Sequence, residues 1–313
     1  MNKLYCLGEL LIDFQSIGYG SLKETKQFVK NAGGAPANVC VQAVKLGIDA
    51  AYLTQVGADA FGDFLTDTLR DEGVDTEFVK KNENYDTSLA FVSFEENGER
   101  HFSFYRRSAA DLHFTPQDFA DVVFEKGDVL EFGSVALATQ TAADTHISLI
   151  ECAKKAGAVV CFDPNLRLNL WEENELRAVV KKFLPYADVV KMGKDEAEFV
   201  FEKDADDAVS DIMACGAKIL LLTDGGAGAR LYTQNGLLCA RKGYKVNTVD
   251  TTGAGDSFFG GFIAGFMDAG CDYGSAHLEG ILDFACKCGA YTTTNYGAIP
   301  AMGTREIIDK AVK

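Results

Sequence analysis

Ile219-Leu220-Leu221-Leu222-Thr223-Asp224-Gly225-Gly226-Ala227-Gly228 begins with four aliphatic residues in a row and ends in a polar, glycine-rich turn. A strand with one wet face would alternate apolar and polar residues. An unbroken run closed by a turn suits a strand buried on both faces. Similar short runs recur at Tyr5–Leu7, Ala51–Val56, Val129–Phe132, Val159–Phe162 and Asp188–Val190. Between them lie stretches with apolar residues three and four apart, such as Phe61, Phe64, Leu65 and Leu69. This alternation predicts an α/β fold: a central, mostly parallel sheet flanked by helices.

Two segments break the rhythm. Ser88–Phe94 and His101–Tyr105 alternate like strands, and the Asn97-Gly98 between them is a strong hairpin-turn signal because both residues tolerate positive φ. A second strand-like excursion, Asp13–Val29, follows the first strand. The two are expected to pair outside the main sheet as a small β-sheet lid. This divides the chain into a core of residues 1–12, 31–86 and 108–313 and a lid of residues 13–30 and 87–107. Large apolar residues such as Phe91, Phe102 and Phe104 are expected to leave one lid face uncovered, which predicts a homodimer through the lid.

Composition narrows the partners. The 313 residues carry 30 Lys+Arg against 46 Asp+Glu, a net charge of −16. Such a surface repels nucleic acid and anionic membrane, so a polyanionic ligand must be gripped by local donors. No apolar run reaches the roughly 18 residues of a membrane span. The start, Met1 to Glu9, lacks the pattern of a signal peptide. The nine Cys show no CxxC and the four His no zinc-ligand spacing, which fits reduced thiols in the cytoplasm.

The sharpest motif is Asp250-Thr251-Thr252-Gly253-Ala254-Gly255-Asp256, running into the apolar stretch from Ser257 to Phe266. It places backbone N–H groups of Gly253, Ala254, Gly255 and Asp256 at a helix start, where the macrodipole favours an anion. Asp256 in the first turn can take a proton from a hydroxyl beside a phosphoryl group held there; alone, the pattern also suits a helix cap. Gly33-Gly34-Ala35-Pro36-Ala37-Asn38 is a second turn into a helix, and Asn38 can bond sugar hydroxyls. Asp163-Pro164-Asn165-Leu166-Arg167 follows a buried run at the sheet edge where α/β folds bind ligands, with Arg167 a candidate phosphate clamp. Gly193-Lys194-Asp195-Glu196 and Thr223 to Gly228 lie at the same edge. Neither a P-loop nor a Gly-x-Gly-x-x-Gly is present.

Together the Gly33–Asn38 and Asp250–Asp256 elements resemble the two signatures of the ribokinase-like (PfkB) carbohydrate kinases, over essentially the whole chain. Gly8–Phe14, Phe102–Arg106, Asp163–Trp171 and Thr292–Pro300 resemble the bacterial fructokinases of that family. The resemblance implies ATP-dependent phosphorylation of a sugar hydroxyl, fructose to fructose 6-phosphate, with 2-keto-3-deoxygluconate, ribose or an aminoimidazole riboside as alternative acceptors. It implies Asp256 as catalytic base, Gly253, Ala254 and Gly255 in the anion hole, and Arg167 on the transferring phosphate. Asp13, Gly33, Gly34, Asn38, Tyr105, Arg106 and Asn165 are implied around the sugar. Lys191, Glu196, Thr223, Gly225 and Gly228 are implied around ATP, with Glu196 holding Mg²⁺ through water and Asp250 and Thr252 at a K⁺ site. The family's Asn-x-x-Glu motif appears as Gly193-Lys194-Asp195-Glu196, and Cys286 stands where many relatives carry Asn near the adenine.

Overall fold

The computed structural model describes residues 2–95 and 100–313. The chain opens with β1 (Leu4–Leu7), β2 (Leu11–Tyr19), β3 (Phe28–Gly33), α1 (Ala35–Lys45), β4 (Ala50–Gly57), α2 (Ala60–Asp71) and β5 (Val79–Asn82). β6 (Ser88–Phe94) and β7 (Arg100–Tyr105) follow, then β8 (Val129–Gly133), α3 (Gln140–Ala156), β9 (Val159–Asp163) and α4 (Glu173–Phe183). Next come β10 (Val189–Gly193), α5 (Lys194–Phe201), α6 (Ala205–Ala214), β11 (Ile219–Thr223), β12 (Gly228–Thr233) and β13 (Gly236–Lys242). Helices α7 (Ala254–Asp268), α8 (Ser275–Thr292) and α9 (Arg305–Ala311) close the chain.

Among the described residues, nine strands form one sheet in the order β13-β12-β11-β10-β9-β8-β1-β4-β5. The strands from β11 to β5 run parallel, while β12 and β13 add antiparallel at one edge. Strand alternation sorts the core into two layers. Leu4, Cys6, Ile219 and Leu221 pack with residues of α1, α7 and α8, whereas Tyr5, Leu7, Leu220 and Leu222 pack with α3 to α6. Both faces of β11 are covered, which is why its sequence has no polar gap. No helix among the described residues is long and apolar enough to cross a membrane.

Helix α7 lies between α1 and α8 at unusually close range. A Cβ on Gly260 would stand 2.7 Å from the Val39 carbonyl oxygen, and one on Gly261 would stand 2.6 Å from Cys288 Sγ. Ser257 Oγ donates to Gln42 Oε1 at 2.8 Å, and Gln42 Nε2 donates to the Gly303 carbonyl at 3.1 Å. The start of α7 is thereby pinned to α1.

The second sheet has the order β3-β2-β6-β7, with β2 and β6 parallel and the other pairs antiparallel. It begins at Leu11 and its second strand runs to Gly33, so it reaches down to the rim of the main sheet. The Asn97-Gly98 turn lies outside the described residues. Register corrects one expectation: Ala90 faces Phe104 and Val92 faces Phe102, while Phe91 faces Ser103. Residues paired across strands share a face, so Phe91 lies on the side opposite Phe102 and Phe104. Phe91 is covered by Phe14 (5.0 Å between centroids), Phe28 and Tyr105.

Candidate active site

The ends of β9 and β10, the starts of α1 and α7, and one face of the small sheet converge on a cleft of about 230 Å³. Its walls include Asp13, Asn38, Asn165, Arg167, Lys191 and Asp256. Asp256 is buried, and both of its oxygens accept hydrogen bonds: Oδ2 from Asn38 Nδ2 at 2.8 Å and Oδ1 from Asn165 Nδ2 at 3.0 Å. These amides aim the carboxylate and leave each oxygen a further lone pair. Burial raises the Asp256 pKa above the usual carboxylate range, with Lys191, Asn38, Arg167 and Asn165 opposing the rise. Asn165 holds φ 43°, an uncommon conformation for a non-glycine residue, and this turn carries its amide to Asp256.

Asp13 faces the same space from β2. Burial lifts its carboxyl to about 7, Arg167 pulls it down and Asp256 pushes it up. A Cβ on Gly33 would fall 2.2 Å from Asp13 Oδ2, so only glycine leaves that carboxylate its place. Gly34, at φ 121°, turns the chain into α1 against the Glu9 carbonyl. Asn38 Oδ1 and Glu9 Oε2 are buried without a protein partner.

At the start of α7, Gly253 adopts φ 74° and no side chain caps the helix. The first helical bond runs from Ser257 N to Gly253 O, so the amides of Gly255 and Asp256 precede the intrahelical ladder. Lys191 supplies a buried positive charge beside them; its Nζ is 3.2 Å from where a Gly255 Cβ would sit and donates to Asp163 Oδ2 at 2.8 Å. Burial alone would lower the Lys191 pKa, but Asp163, Glu196 and Asp256 raise it above its ordinary value, and the side chain is an ammonium. Glu196 accepts from the backbone N–H of Leu166 at 2.8 Å and of Gly193 at 2.7 Å, tying the loops after β9 and β10 together.

A second cleft, of about 340 Å³, adjoins the first through Thr251 and Gly255. It is lined by Thr223, Gly225 and Gly228, and also by Tyr244, Phe258, Cys286 and Ala290. The loop between the clefts is braced by Asp250, whose Oδ1 accepts from Thr252 N and Thr252 Oγ1 (2.9 and 2.7 Å) and whose Oδ2 accepts from Gly297 N at 2.9 Å.

Two expected sugar contacts are placed elsewhere. Arg106 is buried and spends its guanidinium on Asp111 Oδ2 at 2.7 Å, the Val135 carbonyl at 3.0 Å and Ser88 Oγ at 3.3 Å. A nearby buried carboxylate outcompetes the open cleft. Tyr105 is 64% exposed and lies on the Phe91 face of the small sheet, away from Asp13. The cleft wall on that side is made instead by Phe102 and Phe104, stacked at 5.9 Å, together with Glu9 and Val135. Alternation along β7 sets Phe102 and Phe104 on one face in the sequence, but the register that turns that face to Asp13 (Asp13 facing Ala90, Ala90 facing Phe104) appears only in the fold.

Over residues 1–305 the chain matches the pfkB family carbohydrate kinase. It is 38% identical to fructokinase-2 of Oryza sativa subsp. japonica over 319 aligned residues, covering 99% of this chain and 95% of that protein. Among solved structures it superposes on the fructokinase from Vibrio cholerae O395 in its fructose, ADP and calcium ion bound form with a TM-score of 0.92, at 32% identity, covering 100% of this chain and 99% of that one. The aminoimidazole riboside kinase from Salmonella enterica superposes with a TM-score of 0.87 at 26% identity, covering 99% of both chains. With the central sheet, the small second sheet and two adjoining clefts that meet at an uncapped helix start, this chain belongs to the pfkB family of carbohydrate kinases.

Proposed function

We propose that this chain transfers the γ-phosphoryl group of ATP to fructose, giving fructose 6-phosphate and ADP. The observation that carries the reading is Asp256, a buried carboxylate held by two amides at the mouth of a helix start. Fructose occupies the smaller cleft, its hydroxyls meeting Asp13, Asn38 and the orphaned Glu9 oxygen, with Phe102 and Phe104 against its apolar face. Asp256 receives the proton of the primary hydroxyl as that oxygen attacks phosphorus. The first-turn amides of Gly255 and Asp256, with Arg167 and Lys191, face the charge that spreads over the phosphoryl oxygens, which is where phosphoryl transfer needs help. The small sheet excludes water from the site and so limits wasteful ATP hydrolysis.

Mg²⁺ fits the residues present. Asp163 Oδ1 is buried without a partner, and with the Glu196 carboxylate it offers hard oxygen atoms to hold the ion's waters beside the phosphates. When bound, the ion neutralises phosphate charge. The oxygens of Asp250 and Thr252 suit K⁺ in the loop between the clefts. A riboside acceptor is the second reading. It is favoured by a space of about 580 Å³, lined by Gln15, Tyr19, Val29 and Thr248, which meets both clefts at Thr251. A homodimer through the small sheet completes the proposal, supported by Ile17, Tyr19 and Val29 exposed at 59, 73 and 48%. The free cysteines support a reducing, cytoplasmic setting.

A coupled ADP-release assay with fructose, ribose, 2-keto-3-deoxygluconate and aminoimidazole riboside tests the acceptor. The highest kcat/KM on fructose supports the reading, and a higher value on any other acceptor overturns it. Light scattering at micromolar concentration tests the dimer, which a monomeric mass would exclude.

A further inference from the structure

Arg106, Asp111 and Ser88 form a buried polar cluster that the phosphoryl-transfer reading leaves unused. They are 6, 1 and 2% exposed. Ser88 Oγ donates to Asp111 Oδ1 at 2.7 Å, while Arg106 donates from Nη2 to Asp111 Oδ2 at 2.7 Å and from Nε to Ser88 Oγ at 3.3 Å. The remaining arm of the guanidinium, Nη1, donates to the Val135 carbonyl at 3.0 Å, and Val135 lines the acceptor cleft together with Glu9. No member of the cluster is among the described residues that line that cleft.

The cluster lies where the small sheet is rooted in the core. Register sets Leu89 of β6 against Tyr105 of β7 and Ala90 against Phe104. Carried one residue further, it sets Ser88 against Arg106. Alternation then puts Arg106 on the same face as Phe102 and Phe104, the apolar wall of the cleft. Asp111 stands in a short 3₁₀ turn, Ala110–Leu112, which is tied to the chain entering β6 by the bond from Ala110 N to the Asp86 carbonyl at 2.9 Å. One carboxylate therefore holds the first residue of β6, the residue after β7 and, through the guanidinium, another part of the cleft wall. An ion pair this dry loses in desolvation about what it gains in attraction, so it returns direction rather than stability. Glu9 lies within its field: burial lifts that carboxyl to about 7, Arg106 pulls it down and Asp111 pushes it up.

We propose that Asp111 is a positioning residue for the acceptor: by locking Ser88 and Arg106 it fixes the phenylalanine wall carried by β7 relative to Glu9 and Val135, and so sets the shape of the sugar site without touching the sugar. The inference rests on the kinase reading given above and deepens it on the acceptor side. Fructose affinity depends on this lock, whereas the nucleotide cleft, whose lining includes neither the cluster nor Val135, does not.

The test measures kcat, KM for fructose and for ATP, fructose Kd by calorimetry and melting temperature. Ser88→Ala removes one bond from each partner and is expected to raise the fructose KM and Kd about fivefold, the worth of one buried hydrogen bond, with the ATP KM within about twofold. Asp111→Asn leaves the guanidinium without its counter-charge and is expected to raise the same two constants about tenfold or more and to melt lower. The deciding variant is the double change Arg106→Met with Asp111→Leu. It removes both charges, whose effects on Glu9 oppose each other, and is expected to melt close to the unsubstituted chain. Its fructose KM and Kd are expected to stay raised about tenfold or more, with the ATP KM unmoved. A merely structural pair would return sugar affinity together with the melting temperature, and that result overturns the proposal. So does an unchanged fructose KM in folded Ser88→Ala or Asp111→Asn. Where a variant at position 111 does not fold, the split between fructose and ATP in Ser88→Ala decides. A chain that prefers another acceptor overturns the fructose reading alone, and the variants are then read with that acceptor; a chain that binds no sugar overturns both.

Discussion

Replacing Asp256 by Asn isolates proton removal from every other function of the site. The carboxylate accepts from two side-chain amides, Asn38 Nδ2 at 2.8 Å and Asn165 Nδ2 at 3.0 Å. An Asn at 256 keeps one acceptor oxygen but turns an NH₂ group toward one of these donors. The clash has a local remedy: Asn38 Oδ1 is buried with no partner, so turning the Asn38 amide over presents an acceptor to the new NH₂. Lys191 keeps its own partner, Asp163, at 2.8 Å, so no buried charge is stranded. Stability also moves in a defined direction. Burial holds the Asp256 pKa above its unfolded value, so the native state binds this proton more tightly than the unfolded chain. Wherever the native carboxyl is ionised it therefore weakens the fold, and a neutral amide removes that penalty. Asp256→Asn is expected to melt at or above the temperature of the unsubstituted chain and to bind fructose with a similar Kd by calorimetry. Its kcat is expected to fall by roughly 10²–10⁴, or about 2.7–5.4 kcal/mol at 1.36 kcal/mol per decade. A folded variant that binds fructose and keeps kcat within tenfold of the unsubstituted chain would refute the assignment of the base.

Gly33→Ala sets a methyl 2.2 Å from Asp13 Oδ2 and must turn that carboxylate aside. The KM for fructose is expected to rise at least about tenfold, with kcat less affected, in steady-state assays. Asp13 carries a second expectation. Burial pushes its carboxyl up to about 7, and hydroxyl donors from a sugar would favour the ionised form. Fructose affinity is therefore full above pH 7 and falls as pH drops below it, with proton release visible as a buffer-dependent calorimetric enthalpy; Asp13→Asn abolishes that release. Lys191→Met removes the charge that most strongly opposes the raised Asp256 pKa, so the acid limb of the kcat/KM profile is expected to move to higher pH. It also strands buried Asp163 and lowers the melting temperature. The double change with Asp163→Asn restores the melting temperature but leaves the limb displaced, because Asp256 still lacks its cation.

Much of this molecule is legible in short windows of sequence, and the limits of that legibility are physical. The run Ile219–Leu222 announces a doubly covered strand because burial on both faces leaves no place for a polar side chain, and β11 is that strand. The turn before Ser257 announces a helix start because Gly253 supplies the left-handed conformation and the following amides lack intrahelical acceptors. These signals depend on neighbours a few residues away. Register across strands does not. Phe91, Phe102 and Phe104 look alike in sequence, yet the pairing of β6 with β7 sends the first to the aromatic side and the other two into the cleft. Arg106 illustrates competition: the sequence sets it at the end of the lid strand, but the buried Asp111 takes its guanidinium at 2.7 Å.

The sequence alone determined the layered α/β architecture, the second small sheet, and the presence of an acidic residue in the first turn of a helix whose start no side chain caps, since each follows from local periodicity and turn chemistry. Only the tertiary structure decided which groups hold that acid. Asn38 lies 218 positions from Asp256 and Asn165 lies 91 positions away, and each becomes its hydrogen-bond partner only when α1, the β9 loop and α7 meet at the rim of one sheet. Directional bonds between groups so distant along the chain exist only once packing has fixed both ends, and no local pattern encodes that distance.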